Sequence, residues 1–153
     1  EDFFRIVSDL EGYLSKSLSF EQMDGVDYPV AVLGDARLHC VHYKSENEVV
    51  EKWNTRLQRM DLSNCYIMFT DRDGCSYELL RKFDDLPFEN KVVFTNKLYY
   101  DIESAFYVPG FEDADCVGSL YHYKSWNGRK YYDAFDYTAW FNEGNISFTE
   151  KIK

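Results

Sequence analysis

The spacing of apolar residues changes several times along the chain, and each change marks an element. Phe3, Ile6, Val7, Leu10 and Leu14 recur at helical spacing, which predicts a helix over 2–14 with one core-facing stripe. Residues 15–29 are polar, contain Gly25 and Pro29, and read as a loop. "PVAVLGDARLHCVHY" predicts two short strands, about 30–33 and 37–43, turning at Gly34-Asp35. In "SENEVVEKWNTRLQRM", Val49, Trp53, Leu57 and Met60 form one apolar helical face. Ser45 and Glu48 before it match the S-x-x-E capping box.

Two continuous apolar runs follow, "NCYIMFT" and "KVVFTN", as buried strands do. Between them "SYELLRKFDDL" predicts a helix that stops before Pro87, because proline breaks the helical ladder. "SAFYVPG" predicts a further short strand, "SLYHYKSW" alternates like a strand, and Asn127-Gly128 is a hairpin turn signal with "RKYYDAF" as the returning strand. "DYTAWFN" predicts a final helix, capped by Asp136 and followed by Gly144. Strand and helix thus alternate through the middle of the chain. That order predicts one α/β domain over 1–153 with an at least partly parallel sheet. Ligands of such sheets bind where the carboxyl ends of the strands meet. Here those ends are Thr70-Asp71, Thr95-Asn96 and Pro109-Gly110.

Composition narrows the function classes. The formal net charge is -10, and no dense Lys/Arg run interrupts it, so a nucleic-acid partner is not expected. No apolar run reaches the roughly 18 residues a membrane-spanning helix needs. The acidic, amphipathic "EDFFRIVSDLEGYL" does not read as a signal peptide. The four cysteines show no C-x-x-C spacing, which removes zinc-ribbon and thioredoxin-like readings. Cys40 and Cys65 lie in apolar runs, as reduced thiols do. The expectation is a cytoplasmic protein, peripheral to the inner membrane if it meets a membrane. Aromatic residues make up 18% of the chain and are spread along it, which is mainly a structural use.

Four stretches carry candidate chemistry. Asp71 and Asp73 flank Arg72 just after a strand, and their hard oxygens suit a divalent cation, magnesium or manganese, bridging to a nucleotide sugar. The competing reading is a turn at Asp73-Gly74 that starts a helix. His42, Tyr43 and Lys44 precede the capping Ser45, where a helix N-terminus favours an anionic or sugar ligand. His-Tyr-Lys-Ser recurs at 122–125, with no further match around it. Cys75 follows Gly74 at a helix start, where the dipole would lower its thiol pKa. Arg72 and Asn96 would contact substrate at the strand ends. No P-loop, dinucleotide fingerprint or nucleophile elbow is present.

Leu33-Gly34-Asp35, His42-Tyr43-Lys44-Ser45, Glu51-Lys52-Trp53, Asp73-Gly74-Cys75, Leu86-Pro87-Phe88, Lys91-Val92-Val93-Phe94-Thr95 and Val108-Pro109-Gly110 occur in one order and spacing. In these pieces the chain resembles a bacterial family of unknown function, whose members often carry exopolysaccharide or capsular polysaccharide biosynthesis labels. The resemblance implies a three-layer α/β domain with a mixed, partly parallel sheet, and a place in surface-polysaccharide assembly. Family members usually begin with a further segment that this chain does not contain. The chain is thus expected to be a shorter relative or to start inside the domain, and would lack any part of the site which that segment carries. Three functions follow: a nucleotide-sugar-dependent glycosyltransferase using Asp71 and Asp73, a non-catalytic partner or binding module of the same pathway, or an acyl-type modifying enzyme using His42 or Cys75.

Overall fold

The computed structural model describes residues 2–124, 126 and 128–144. The chain divides into two compact units, Glu1–Asn64 and Cys65–Lys153. The first unit opens with α1 (Asp2–Ser8) and α2 (Leu10–Leu14) in place of one continuous helix. Asp9 breaks the run. It leaves helical geometry at φ -142° and its carboxylate accepts the Gly12 amide, so it caps α2. The expected loop then contains β1 (Leu18–Glu21), which pairs antiparallel with β2 (Val30–Leu33). Leu18 and Phe20 alternate with polar neighbours, but four residues are too short a run to stand out from the polar stretch around them. β3 (Ala36–His39) completes this sheet, in the order β1-β2-β3. It stops at His39, short of the expected 43, because the chain turns at once with the Tyr43 amide on the Cys40 carbonyl.

α3 (Glu46–Leu57) starts where the capping box predicts. Ser45 Oγ accepts the Glu48 amide, and the Glu48 carboxylate reaches back to the Lys44 amide at 3.0 Å. Tyr13, Leu33 and Ala36 form the core of this unit, with Ile6, Leu18, Leu38 and Trp53 against them.

In the second unit β4 (Tyr66–Thr70), β5 (Asn90–Thr95) and β6 (Ala105–Tyr107) form a parallel sheet in sequential order. The parallel strands are therefore in one sheet and the antiparallel strands in another. α4 (Tyr77–Asp84) lies on one face, with Phe83 stacked on Phe69 at a centroid distance of 5.4 Å. α5 (Tyr137–Glu143) lies on the other, with Trp140 edge-on to Tyr66 at 5.0 Å. Val92 and Phe94 face α5 in a core shared with Val108, Val117, Phe135 and Trp140. Among the described residues, the expected hairpin near the end of the chain is reduced to one antiparallel bridge between Tyr123 and Lys130. Tyr131–Ala134 makes a turn of 3-10 helix instead of a returning strand, and Ser125 and Asn127 lie outside the described residues.

Phe83 has no exposed surface, and truncating such a ring removes both its burial and its packing partners. Phe83→Ala should lower the unfolding free energy by about 4 kcal/mol in urea titration. A loss below about 1 kcal/mol would mean that α4 does not hold the sheet face as described.

Candidate functional site

The three parallel strand ends do meet at one edge, and two expected residues meet there. Asp71 follows β4 and Asn96 follows β5, and both are buried. The Asp71 amide donates to the Phe94 carbonyl, so the ladder runs one residue past β4. Its carboxylate then turns across the edge. Oδ2 accepts the Asn96 amide at 2.7 Å, and Oδ1 accepts the Val117 amide at 2.7 Å. Arg72 Nε donates to the Val117 carbonyl at 2.7 Å, and Asn96 Nδ2 donates to the Ala114 carbonyl. Three of the predicted site residues thus staple the loop after β6 onto the sheet edge.

Asp73 has a different duty. It is exposed and sits at φ 57°, followed by Gly74 at φ 76°. The Cys75 amide closes the turn on the Arg72 carbonyl at 3.2 Å. Two successive positive φ angles define a type I′ turn, which Asp-Gly tolerates at low cost. The two expected cation ligands, Asp71 and Asp73, thus have separate structural duties. Both Asp71 oxygens accept amides, and among the described residues no group of three or more His, Cys, Asp or Glu could hold a metal ion.

Cys75 is half-buried and precedes Ser76, the cap of α4. Burial, and then the Asp71 carboxylate, push its thiol up to about 11. The helix dipole expected to activate it is outweighed by desolvation. Beside it lies a group that the strand and helix patterns did not single out. The Tyr99 hydroxyl is pushed up by burial, and then by Asp71, Cys75 and Asp101. The Tyr77 hydroxyl donates to Asp101, and the Tyr77 and Tyr99 rings are 6.0 Å apart. The available signal was the Tyr-Tyr-Asp run at 99–101, four residues past β5.

The other predicted residues belong to the first unit. His42 is exposed on the turn after β3, and Tyr43 is half-buried with the Arg56 guanidinium 5.9 Å from its ring centroid. Lys44, together with Ser45 and Glu46, lines a cleft of about 540 Å³. Its opposite wall is the loop from Glu21 to Pro29, including Gln22, Asp24, Asp27 and Tyr28. Four of the lining side chains are carboxylates and one is an ammonium. Glu21 is engaged by the Arg37 guanidinium, and the Tyr28 hydroxyl lies 3.2 Å from His39 Nδ1.

The fold and these sites define an α/β protein with a polar cleft in one unit and a loop-sealed sheet edge in the other. The chain belongs to a family described as a domain of unknown function, DUF1919, whose model matches residues 1–142. It is similar to an uncharacterized protein of Haemophilus influenzae, 47% identical over 142 residues that cover 93% of this chain and 68% of the relative.

Asp71→Ala leaves two amides without their acceptor, and should cost about 2–4 kcal/mol in urea titration. Loss of activity without loss of stability would instead mark Asp71 as a reacting group. At Cys75, alkylation by iodoacetamide should stay slow at pH 8 and rise only as pH approaches its thiol pKa of about 11, read by peptide mass spectrometry. Fast labelling at pH 7 would refute the buried, protonated thiol.

Proposed function

We propose that this protein is a non-catalytic, carbohydrate-binding partner in surface-polysaccharide assembly, with the cleft of the first unit as its sugar site. The composition of the cleft wall carries the reading. Carboxylates, an amide, a hydroxyl and an ammonium surround a space of about 540 Å³, with Tyr28 on its border. Sugar hydroxyls pair with such acceptors and donors, and a pyranose offers an apolar face to an aromatic ring. With Glu21 engaged by Arg37, three carboxylates against one ammonium still repel a nucleoside diphosphate and accept a neutral or amino sugar.

The sheet edge supports the same division of labour. Asp71, Arg72 and Asn96 are spent on holding a loop, and the Cys75 thiol stays protonated near neutral pH. These features favour a binding role over metal-dependent glycosyl transfer or acyl transfer. The polysaccharide pathway is inferred from the labels of the family it resembles, and a cytoplasmic location, peripheral to the inner membrane, is part of the same proposal.

Thermal melts against neutral oligosaccharides, amino sugars and nucleotide sugars, with and without manganese, test this. A neutral or amino sugar should raise the melting temperature, because it binds only the native state. Asp27→Ala with Lys44→Ala should weaken that binding about tenfold, the equivalent of one good hydrogen bond. No shift with any sugar would remove the reading. Turnover of a nucleotide sugar that needs manganese and Asp73 would replace it with the transferase.

A further inference from the structure

In a chain of net charge -10, residues 121–132 carry Lys124, Arg129 and Lys130 and no carboxylate of their own; the Glu112 carboxylate feels the Lys124 charge, and the Asp133 carboxylate accepts the Lys130 amide at 2.7 Å. Among the described residues, the same stretch carries the most exposed aromatic side chain of the second unit. Trp126 is 100% exposed, Tyr121 74% and Tyr123 68%. The backbone explains how they come together. Tyr123 and Lys130 form an antiparallel bridge, and the Lys124 amide donates to the Arg129 carbonyl at 2.8 Å. Trp126 lies in sequence between these paired positions. The Lys130 ammonium lies 5.3 Å from the Tyr123 ring centroid and 5.7 Å from that of Tyr132. Tyr132 in turn lies 5.8 Å from Tyr121.

We propose that this aromatic and basic loop docks the protein on a bilayer surface that contains anionic lipid. Tryptophan and tyrosine combine an apolar ring with a polar tip, and such residues settle at the boundary between headgroups and acyl chains. Lysine beside them pairs with lipid phosphates. Three cations against the adjacent Glu112 and Asp133 leave this surface locally positive, and the acidic remainder of the chain is screened over about 8 Å at physiological ionic strength. A soluble anionic glycan is the weaker occupant. It gives the wholly exposed Trp126 ring no apolar phase to enter. Aromatic insertion and charge attraction are each weak, so contact is reversible and needs both.

Co-sedimentation of the full chain with vesicles of phosphatidylcholine, with and without phosphatidylglycerol, tests the surface. Binding should require phosphatidylglycerol and fall as salt rises. It should drop severalfold in Trp126→Ala, and roughly fivefold for each cation removed in Lys124→Ala and Lys130→Ala. Trp126→Phe should retain most of it. Trp126 and Lys124 are exposed and Lys130 is half-buried, and unchanged urea midpoints confirm that the variants fold. Wild-type binding by Trp126→Ala, equal binding to neutral vesicles, or binding only to a soluble polyanion would each overturn the proposal. The result is read apart from the sugar cleft: Asp27→Ala with Lys44→Ala should leave vesicle binding unchanged, and Trp126→Ala should leave sugar-induced stabilisation unchanged.

Discussion

The second unit depends on one buried carboxylate with two backbone donors. An amide cannot replace it without turning one acceptor into a donor, and an apolar residue would strand two peptide N–H groups. Asp71 can hold the Asn96 and Val117 amides together because its own amide already extends the ladder of β4. Once the carboxylate is fixed, its neighbours follow. Arg72 and Asn96 find carbonyls on the loop that Asp71 has drawn in. The charge also acts outward, and together with burial it keeps the Cys75 thiol and the Tyr99 phenol in their neutral forms. A sheet edge that would otherwise be open to ligand is thereby filled by the chain itself. The strand order points the same way, since a sequential sheet has no reversal at which a crevice opens.

Most elements were legible because local chemistry specifies them. The S-x-x-E box at Ser45, the Ser76 cap of α4 and the Asp136 cap of α5 each sit where the side chain accepts its amide. β4 and β5 were equally visible as unbroken apolar runs. What failed depends on partners distant in sequence. β1 is a strand because β2 is beside it, and its own four residues say little. The returning arm after Gly128 had the right turn signal, but Tyr131 and Tyr132 are used for contacts with Phe111 and Tyr121 instead of a ladder. The same limit applies to the site. That Asp71 and Asn96 meet could be read from the alternation of strands and helices. That both are spent on residues 114 and 117 could not, because no local pattern announces a hydrogen bond across 46 residues. The cleft was half legible through Lys44, while its other wall lay in a stretch that looked like a plain loop.

The tyrosines also manage the excess of acid. With 27 carboxylates and 17 Lys and Arg residues, cations are too few to pair every acid. Tyr13 donates to Asp35, Tyr77 to Asp101 and Tyr107 to Glu112. The hydrogen bond raises each phenol, and it holds Asp35 and Glu112 below their usual range. A depressed carboxylate contributes stability above its unfolded pKa, and loses it as pH falls through the folded value. These acids are fully exposed to solvent, so the effect of each is small and lies on the acid side of neutrality.

This accounting separates structural aromatics from the rest. Trp140, Phe83, Phe94 and Phe135 are buried in the core of the second unit. Tyr13, Tyr77 and Tyr107 each keep a ring against protein and a hydroxyl on a carboxylate. A wholly exposed tryptophan follows neither pattern. It gains nothing from burial in the folded chain, and the stretch around it has exchanged carboxylates for cations. Folding alone does not account for that combination, and water is a poor solvent for so large a ring. A second, apolar and anionic phase answers both features at once, which is why Trp126 carries more functional information than the paired carboxylates of the Asp71-Arg72-Asp73 triplet.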